Sequence, residues 1–522
     1  MSVGPEYAYG LNNFITRPFG LEVRKGYAEW LPYGYAFTAP VRTLIPYQSP
    51  GNLNNKLFAC LGDSTSTVYD ISTPNTTPTV ALTPGGGANV AGEWSYTNYN
   101  TPSKQYICAV LWGKGYYTYD GSAWTLVPVK MTTGQPAAGE IKFEYNGVTY
   151  QSSTMLFTFS WKNRLWFIQA DTGLAWYLPV NQVTGVATAF DLGQFLKHGG
   201  GLAFAVNWTY DSGDGIDDNL VFVGNNGDMV IYQGTDPAQA ATFRLAGTWY
   251  IGRVPVGRRG WCQYGGDVLV VTEYGIMSVS DFVSGRITNP MNQSQIGGKY
   301  NTSLARYISN HINDKYWQLF PYPTEETIIL LSPAIEPATS ISICFAVTHF
   351  TKAWSSLTNF PAHCAVLYQG GMIFGTAGGK VYQGFKGYRD GDSYDGVHTG
   401  AEVTGIFQTA FFDFGSPSAN KRAQRVKLLG RSDGLPGFIA VIRDEYNIEN
   451  PPSVPSPPFR STSLWDIALW DNDLWQSRAT TFGKWFGVAG FGKKLSTQVA
   501  IRSLGYTLVT DYEVTYEEGI GL

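Results

Sequence analysis

Leu220-Val221-Phe222-Val223-Gly224-Asn225-Asn226-Gly227-Asp228-Met229-Val230-Ile231-Tyr232-Gln233-Gly234 is the stretch from which the fold is read. Two runs rich in β-branched and aromatic residues suit a pleated, buried surface, and the Asn-Asn-Gly cluster between them tolerates positive φ. The segment reads as a β-hairpin.

Comparable hairpins occur at 57–71, 106–119, 267–279 and 371–383, with a looser one at 155–168. From Phe58 to Ile107, Phe157, Val221 and Leu269 the steps are 49, 50, 64 and 48 residues. A period near fifty residues is that of kelch-like propellers, in which each repeat is a small sheet whose faces only its neighbours can cover. The expectation is an all-β chain: a six- or seven-bladed β-propeller over 46–395, an arm over 1–45, and a β-sandwich or platform domain over 396–522.

Composition agrees. Aromatic residues make up 15% of the chain and charged residues only 15%, with 60 Gly and 28 Pro among 522 residues. Many rings and turn formers with few charges suit stacked short strands, and exclude a coiled coil or a disordered chain. The net charge of −4 excludes a protein that grips nucleic acid through its phosphates, which needs a surplus of Lys and Arg. It permits a channel that DNA traverses. Five cysteines, Cys60, Cys108, Cys262, Cys344 and Cys364, lie far apart without zinc spacing and mostly within apolar runs. They read as buried free thiols. The N-terminal residues lack the pattern of a signal peptide, and no apolar run reaches the length of a membrane-spanning helix.

The arm is aromatic and irregular, including Trp30-Leu31-Pro32-Tyr33-Gly34-Tyr35, and is expected to pack on the C-terminal region or on a neighbour. After the second hairpin, Asp120-Gly121-Ser122-Ala123-Trp124 places a Trp where it can wedge between blades. This turn resembles the Asp-box of sialidases but is one residue short. Asp211, Asp214 and Asp217 lie on a Gly-containing acidic loop that could offer oxygen ligands to calcium. Phe222 stands where an EF-hand would need its bidentate Glu, and an Asx turn explains the loop without metal.

Further on come Gly234-Thr235-Asp236-Pro237, then the run from Gly247 to Gly260 containing Trp249-Tyr250-Ile251-Gly252-Arg253, then Gly265-Gly266-Asp267. Together with Leu174-Ala175-Trp176-Tyr177-Leu178-Pro179, the Trp-rich block near the C-terminus and the ending Tyr512-Glu513-Val514-Thr515-Tyr516-Glu517, this ordered set resembles the β-propeller nozzle or tail-hub proteins of short-tailed bacteriophages. The resemblance implies a structural virion protein, assembled in the host cytoplasm and located in the tail. It implies a ring, of six copies, below the portal and adaptor proteins and near tail fibres or spikes. Double-stranded DNA would pass through such a ring without being read.

Arg253, Arg258 and Arg259 form a basic cluster that can face DNA or a partner subunit, the partner being the commoner use of Arg. Trp465, Trp470, Trp475 and Trp485, interleaved with Asp466, Asp471 and Asp473, read as anchors of a subunit interface. The same indole density would suit carbohydrate stacking, so a carbohydrate-binding or carbohydrate-cleaving propeller is the second reading. The five His residues show no metal or triad spacing, and no phosphate-cradling loop occurs. No cofactor and no catalytic residue is expected.

Overall fold

The computed structural model describes residues 8–85, 92–211, 216–239, 241–287, 301–335, 342–433, 436–444, 446–447, 449–456 and 479–519. The chain divides into two compact units. One comprises Trp30–Ser342 and Pro361–Tyr382, the other Met1–Glu29, Ile343–Phe360 and Gln383–Leu522.

The larger unit is built from small antiparallel sheets taken up in chain order. Blade 1 runs through Val41–Tyr47, Lys56–Leu61, Val68–Asp70 and Thr79–Leu82, and blade 2 through Trp94–Asn100, Gln105–Leu111, Gly115–Tyr119 and Trp124–Leu126. Blade 3 comprises Met155–Trp161, Arg164–Gln169, Leu174–Tyr177 and Gly185–Asp191, and blade 4 comprises Leu202–Asp211, Ile216–Gly224, Asp228–Gly234 and Phe243–Tyr250. Blade 5 has three strands, Trp261–Tyr264, Asp267–Thr272 and Gly275–Ser278. The sixth and seventh positions are held by the hairpins Gln318–Tyr322 with Thr327–Ile335 and Cys364–Tyr368 with Gly371–Gly375. The first strand of each of these seven pieces lines a common axial space. This is a seven-bladed β-propeller.

Its cohesion comes from rings wedged between blades. Trp166 of blade 3 is fully buried and lies 6.0 Å from Phe222 of blade 4, with Tyr177 at 4.9 Å within its own blade. Trp124 packs against Phe58 of blade 1 at 5.3 Å and Tyr119 of its own blade at 5.4 Å. Burying one such side chain stabilises by roughly 1.5–3 kcal/mol, and edge-on ring pairs add about 0.5–1.5 kcal/mol.

The hairpin over 155–168 breaks the even spacing for a structural reason. Phe157 lies in the innermost strand of its blade, whereas Phe58, Ile107, Val221 and Leu269 lie in second strands. An inserted hairpin, Ile141–Tyr145 with Val148–Tyr150, also extends blade 3 by parallel pairing to Gly185–Asp191. The helix Asn301–Asn310 lies within the span expected to be propeller.

The smaller unit is a β-sandwich. One layer contains Ala8–Asn12, Ala401–Thr409, Leu495–Ser503 and Gly437–Asp444, and the other is ordered Phe14–Arg17, Gly20–Val23, Thr507–Glu518, Lys421–Ser432, Thr480–Gly492. Phe14, Phe407, Leu428, Phe438, Val499, Ile501 and Val509 fill the space between them. Sequence boundaries at residues 45 and 395 are contiguous, but the units interleave. Residues 8–23 of the arm are strands of the sandwich, and Val41–Tyr47 already belongs to blade 1.

In the hairpin that decides the fold, only Gly227 of the Asn-Asn-Gly cluster takes positive φ, at 93°. A Cβ there would stand 2.3 Å from the Gly252 carbonyl oxygen. Gly227→Ala is therefore expected to lower stability by about 1–3 kcal/mol, the scale of a strained backbone position. Urea denaturation of the purified chain checks this, and an unchanged midpoint would contradict it.

Candidate functional site

The axial space of the propeller gathers the chain's most distinctive side chains. Thr43, Glu93, Trp94, Tyr96, Arg258, Arg259, Lys315 and Tyr316 are among the residues lining a cavity of about 340 Å³. A second axial cavity of about 650 Å³ is lined by Tyr96, Phe159, Asn207, Cys262, Gln263, Gln318 and neighbouring apolar residues, without any Lys, Arg, Asp or Glu.

Local pairing explains why the cations meet there. The segment after blade 4 is pinned by Val256 N–H donating to the Ile312 carbonyl and Leu319 N–H donating to the Arg259 carbonyl, both at 2.9 Å. Trp261 Nε1 donates to the Arg258 carbonyl at 3.0 Å. These bonds present two consecutive Arg side chains toward the axis from the short loop leading into blade 5. From blade 1, the Arg42 carbonyl accepts from Arg259 Nη2 at 3.1 Å, and the Arg42 guanidinium lies 4.2 Å from the Tyr316 ring centre. Lys315 Nζ stands 3.7 Å from Glu93 Oε1. Tyr316 itself takes a left-handed φ of 79°, uncommon for an aromatic residue.

Burial and charge shift the titrations here. Burial pushes the Tyr316 hydroxyl up to about 12, with Glu93 adding to it and Arg42 opposing. Burial lowers Arg258 to about 10, Glu93 opposing and Arg259 reinforcing. His363 stacks on Tyr316 at 5.7 Å and is brought down to about 4 by burial, then by Arg42 and Arg259. Its Nε2 is buried without a hydrogen-bond partner. Cys60 and Cys364 are buried nearby, and burial raises both thiols.

The residues singled out by sequence fall in different places. Arg258 and Arg259 line the axial cavity. Arg253 lies at the adjoining mouth, its Nη2 donating to Asn313 Oδ1 at 2.7 Å. Trp485 is on the sandwich strand Thr480–Gly492 and 44% exposed. Trp465, Trp470 and Trp475 lie outside the described residues, as does Asp214. The backbone at Asp211 and Asp217 belongs to two paired strands, and among the described residues no group of His, Cys, Asp or Glu could hold a metal. Asp120, at the turn resembling an Asp-box, accepts from Ser122, Ala123 and Lys104. Those bonds hold its carboxyl well below the usual range, so it caps a turn and is not poised as an acid. Sequence reading missed Arg42, Glu93 and Lys315, which are brought to the two Arg residues only by ring closure. No described helix is long and apolar enough to cross a membrane.

The fold and this axial cluster define a β-propeller with a basic hub joined in one chain to a β-sandwich. No family model matches the chain, and no curated protein does. Among solved structures, it is similar to the computationally designed Ika8 protein at 9% identity and TM-score 0.36, over 68% of this chain and 99% of that one. It is also similar to YCF48 bound to D1 peptide, at 9% identity and TM-score 0.37 over 71% and 98%, and to BBS1N in complex with ARL6DN, at 9% and 0.37 over 69% and 98%. These values are too low to argue from, and the propeller is read from the strand order itself.

Two outcomes follow from these buried groups. His363 has a folded-state value near 4 against an ordinary 6.5, so the unfolded chain binds the proton first. Its contribution to stability is complete above pH 6.5 and declines by up to about 3 kcal/mol as pH falls to 4. The stability difference between wild type and His363→Gln should shrink over that window, and a constant difference would contradict it. All five thiols are buried, with Cys108 and Cys262 pushed up to about 12. A thiol reagent at neutral pH should therefore label none of the five in the native chain and all five in urea.

Proposed function

We propose that the chain is a structural subunit that assembles with copies of itself into a ring, a nozzle or hub of a short-tailed phage tail through which double-stranded DNA passes. One observation carries the assembly part. The thirteen-residue strand Thr480–Gly492 closes one side of its sheet, pairs only with Lys421–Ser432 among the described residues, and carries Trp485 at 44% and Phe491 at 61% exposure. A long edge strand without Pro, bearing exposed rings, invites pairing with another chain unless something covers it. A sister copy covers it here.

The virion setting, the six copies and the neighbouring portal-adaptor and fibre or spike proteins rest on the resemblance of the ordered motifs. Rings of this kind hide about 2,000 Å² or more between neighbours, with an apolar centre. Trp485 and Phe491 would lie in that centre.

Light scattering over a concentration series tests the assembly. Wild type is expected to pass from monomer to a closed oligomer, and the Trp485→Asp, Phe491→Asp double variant to stay monomeric. Because both positions are exposed, the variant's own unfolding should move by no more than about 0.5–1 kcal/mol. A wild-type chain that is monomeric at every concentration would remove the proposal.

A further inference from the structure

The hub concentrates positive charge in a chain whose net charge is −4. Arg258, Arg259 and Lys315 line the smaller axial cavity, and Glu93 is the one carboxylate among its lining residues. Arg42 stands behind them against Tyr316. Glu93 stands 3.7 Å from Lys315, and the Arg258 guanidinium donates to no described side chain or carbonyl.

Arg258 and Arg259 are half-buried in this wall, and a guanidinium partly withdrawn from water gains from a paired anion. Its planar fork of N–H groups matches an oxyanion such as phosphate, and two adjacent Arg residues match it better than one. The space is adequate, since about 340 Å³ far exceeds the ~10–15 Å³ that one water needs. A route in exists as well. A third cavity, of about 300 Å³, shares Glu93, Gly257, Arg258 and Lys315 with the first and continues past Arg253. The larger axial cavity has no charged lining, so the cations occupy one level of the axis and do not form a diffuse basic wall. The left-handed Tyr316 sits within the same wall, a strained position of the kind that collects at ligand sites.

We propose that this hub cavity binds a small phosphate-type oxyanion, gripped by Arg258 and Arg259 with Lys315 at its mouth. Free inorganic phosphate and the terminal phosphate of a small phosphorylated molecule present the same oxygens to these donors. The site does not depend on ring assembly, since every residue in it belongs to one propeller.

Calorimetric titration of the full chain at constant ionic strength tests this, with inorganic phosphate in one arm and glycerol phosphate in the other. At least one arm should show saturable binding to a single site, and sodium chloride none. Arg258→Gln and Arg259→Gln should each weaken it by at least about tenfold. Lys315→Met, at the more accessible mouth, should weaken it less, and its circular dichroism should match wild type. This variant keeps the test decisive should either Arg variant misfold. Glu93→Gln, which removes the competing carboxylate, should tighten binding. Absence of saturable binding in both arms would overturn the site, as would binding that all four variants leave unchanged.

Discussion

Each small sheet in this molecule has two apolar faces and no means of covering either by itself. Inside the propeller the remedy is repetition: Trp166 reaches Phe222 of the next blade, and Trp124 reaches Phe58 of the preceding one. Seven such pieces complete the circuit, and their first strands are left facing an axis that side chains do not fill. In the sandwich the remedy is a second layer, with Phe14, Phe407 and Phe438 between the sheets. That remedy covers one side only. The strand Thr480–Gly492 keeps exposed rings and a sheet edge, which is where a sister chain is invoked.

Two arginine environments differ in how far the fold encloses them and in what it pairs them with. Arg24 is wholly enclosed within the sandwich unit, and its guanidinium is saturated. It donates to Asn13 Oδ1, to the carbonyls of Lys25 and Thr358, and to both oxygens of Asp390 at 2.8 Å. Burial nevertheless outweighs the pairing at Asp390 and leaves its carboxyl above the usual value. Such a pair adds little net stability but is expensive to break, so its effect is to specify which distant segments meet. Here those segments are residues 13–25, 358 and 390. Arg258 in the propeller hub is half-buried and has no comparable set of acceptors among the described residues.

Local patterns were legible in the sequence and closure was not. The Leu220–Gly234 hairpin and the wedged Trp124 could be read because turn formers and period-two runs are local signals. Phe157 was counted as the equivalent of Phe58 and Ile107 but lies one strand nearer the axis, because an inner strand buried on both faces carries the same apolar run as a second strand. The arm was read as irregular for a similar reason. Phe14–Arg17 and Tyr27–Glu29 are largely buried on both sides and do not alternate. The ten-residue helix Asn301–Asn310 offers only Leu304, Tyr307 and Ile308 as a helical stripe, too few to stand out. Of the hub cations, only the consecutive Arg258 and Arg259 were visible. Arg42, Glu93 and Lys315 come from other blades, and no spacing rule joins them.

Hydrogen exchange followed strand by strand at several protein concentrations tests most directly whether uncovered sheet surface drives this molecule's behaviour. The amides of Thr480–Gly492 that face away from Lys421–Ser432 should exchange rapidly in dilute solution and slow markedly as concentration rises, while those of the inner strand Met155–Trp161 stay equally protected throughout. Edge-strand amides that exchange at one rate at every concentration would contradict that central claim.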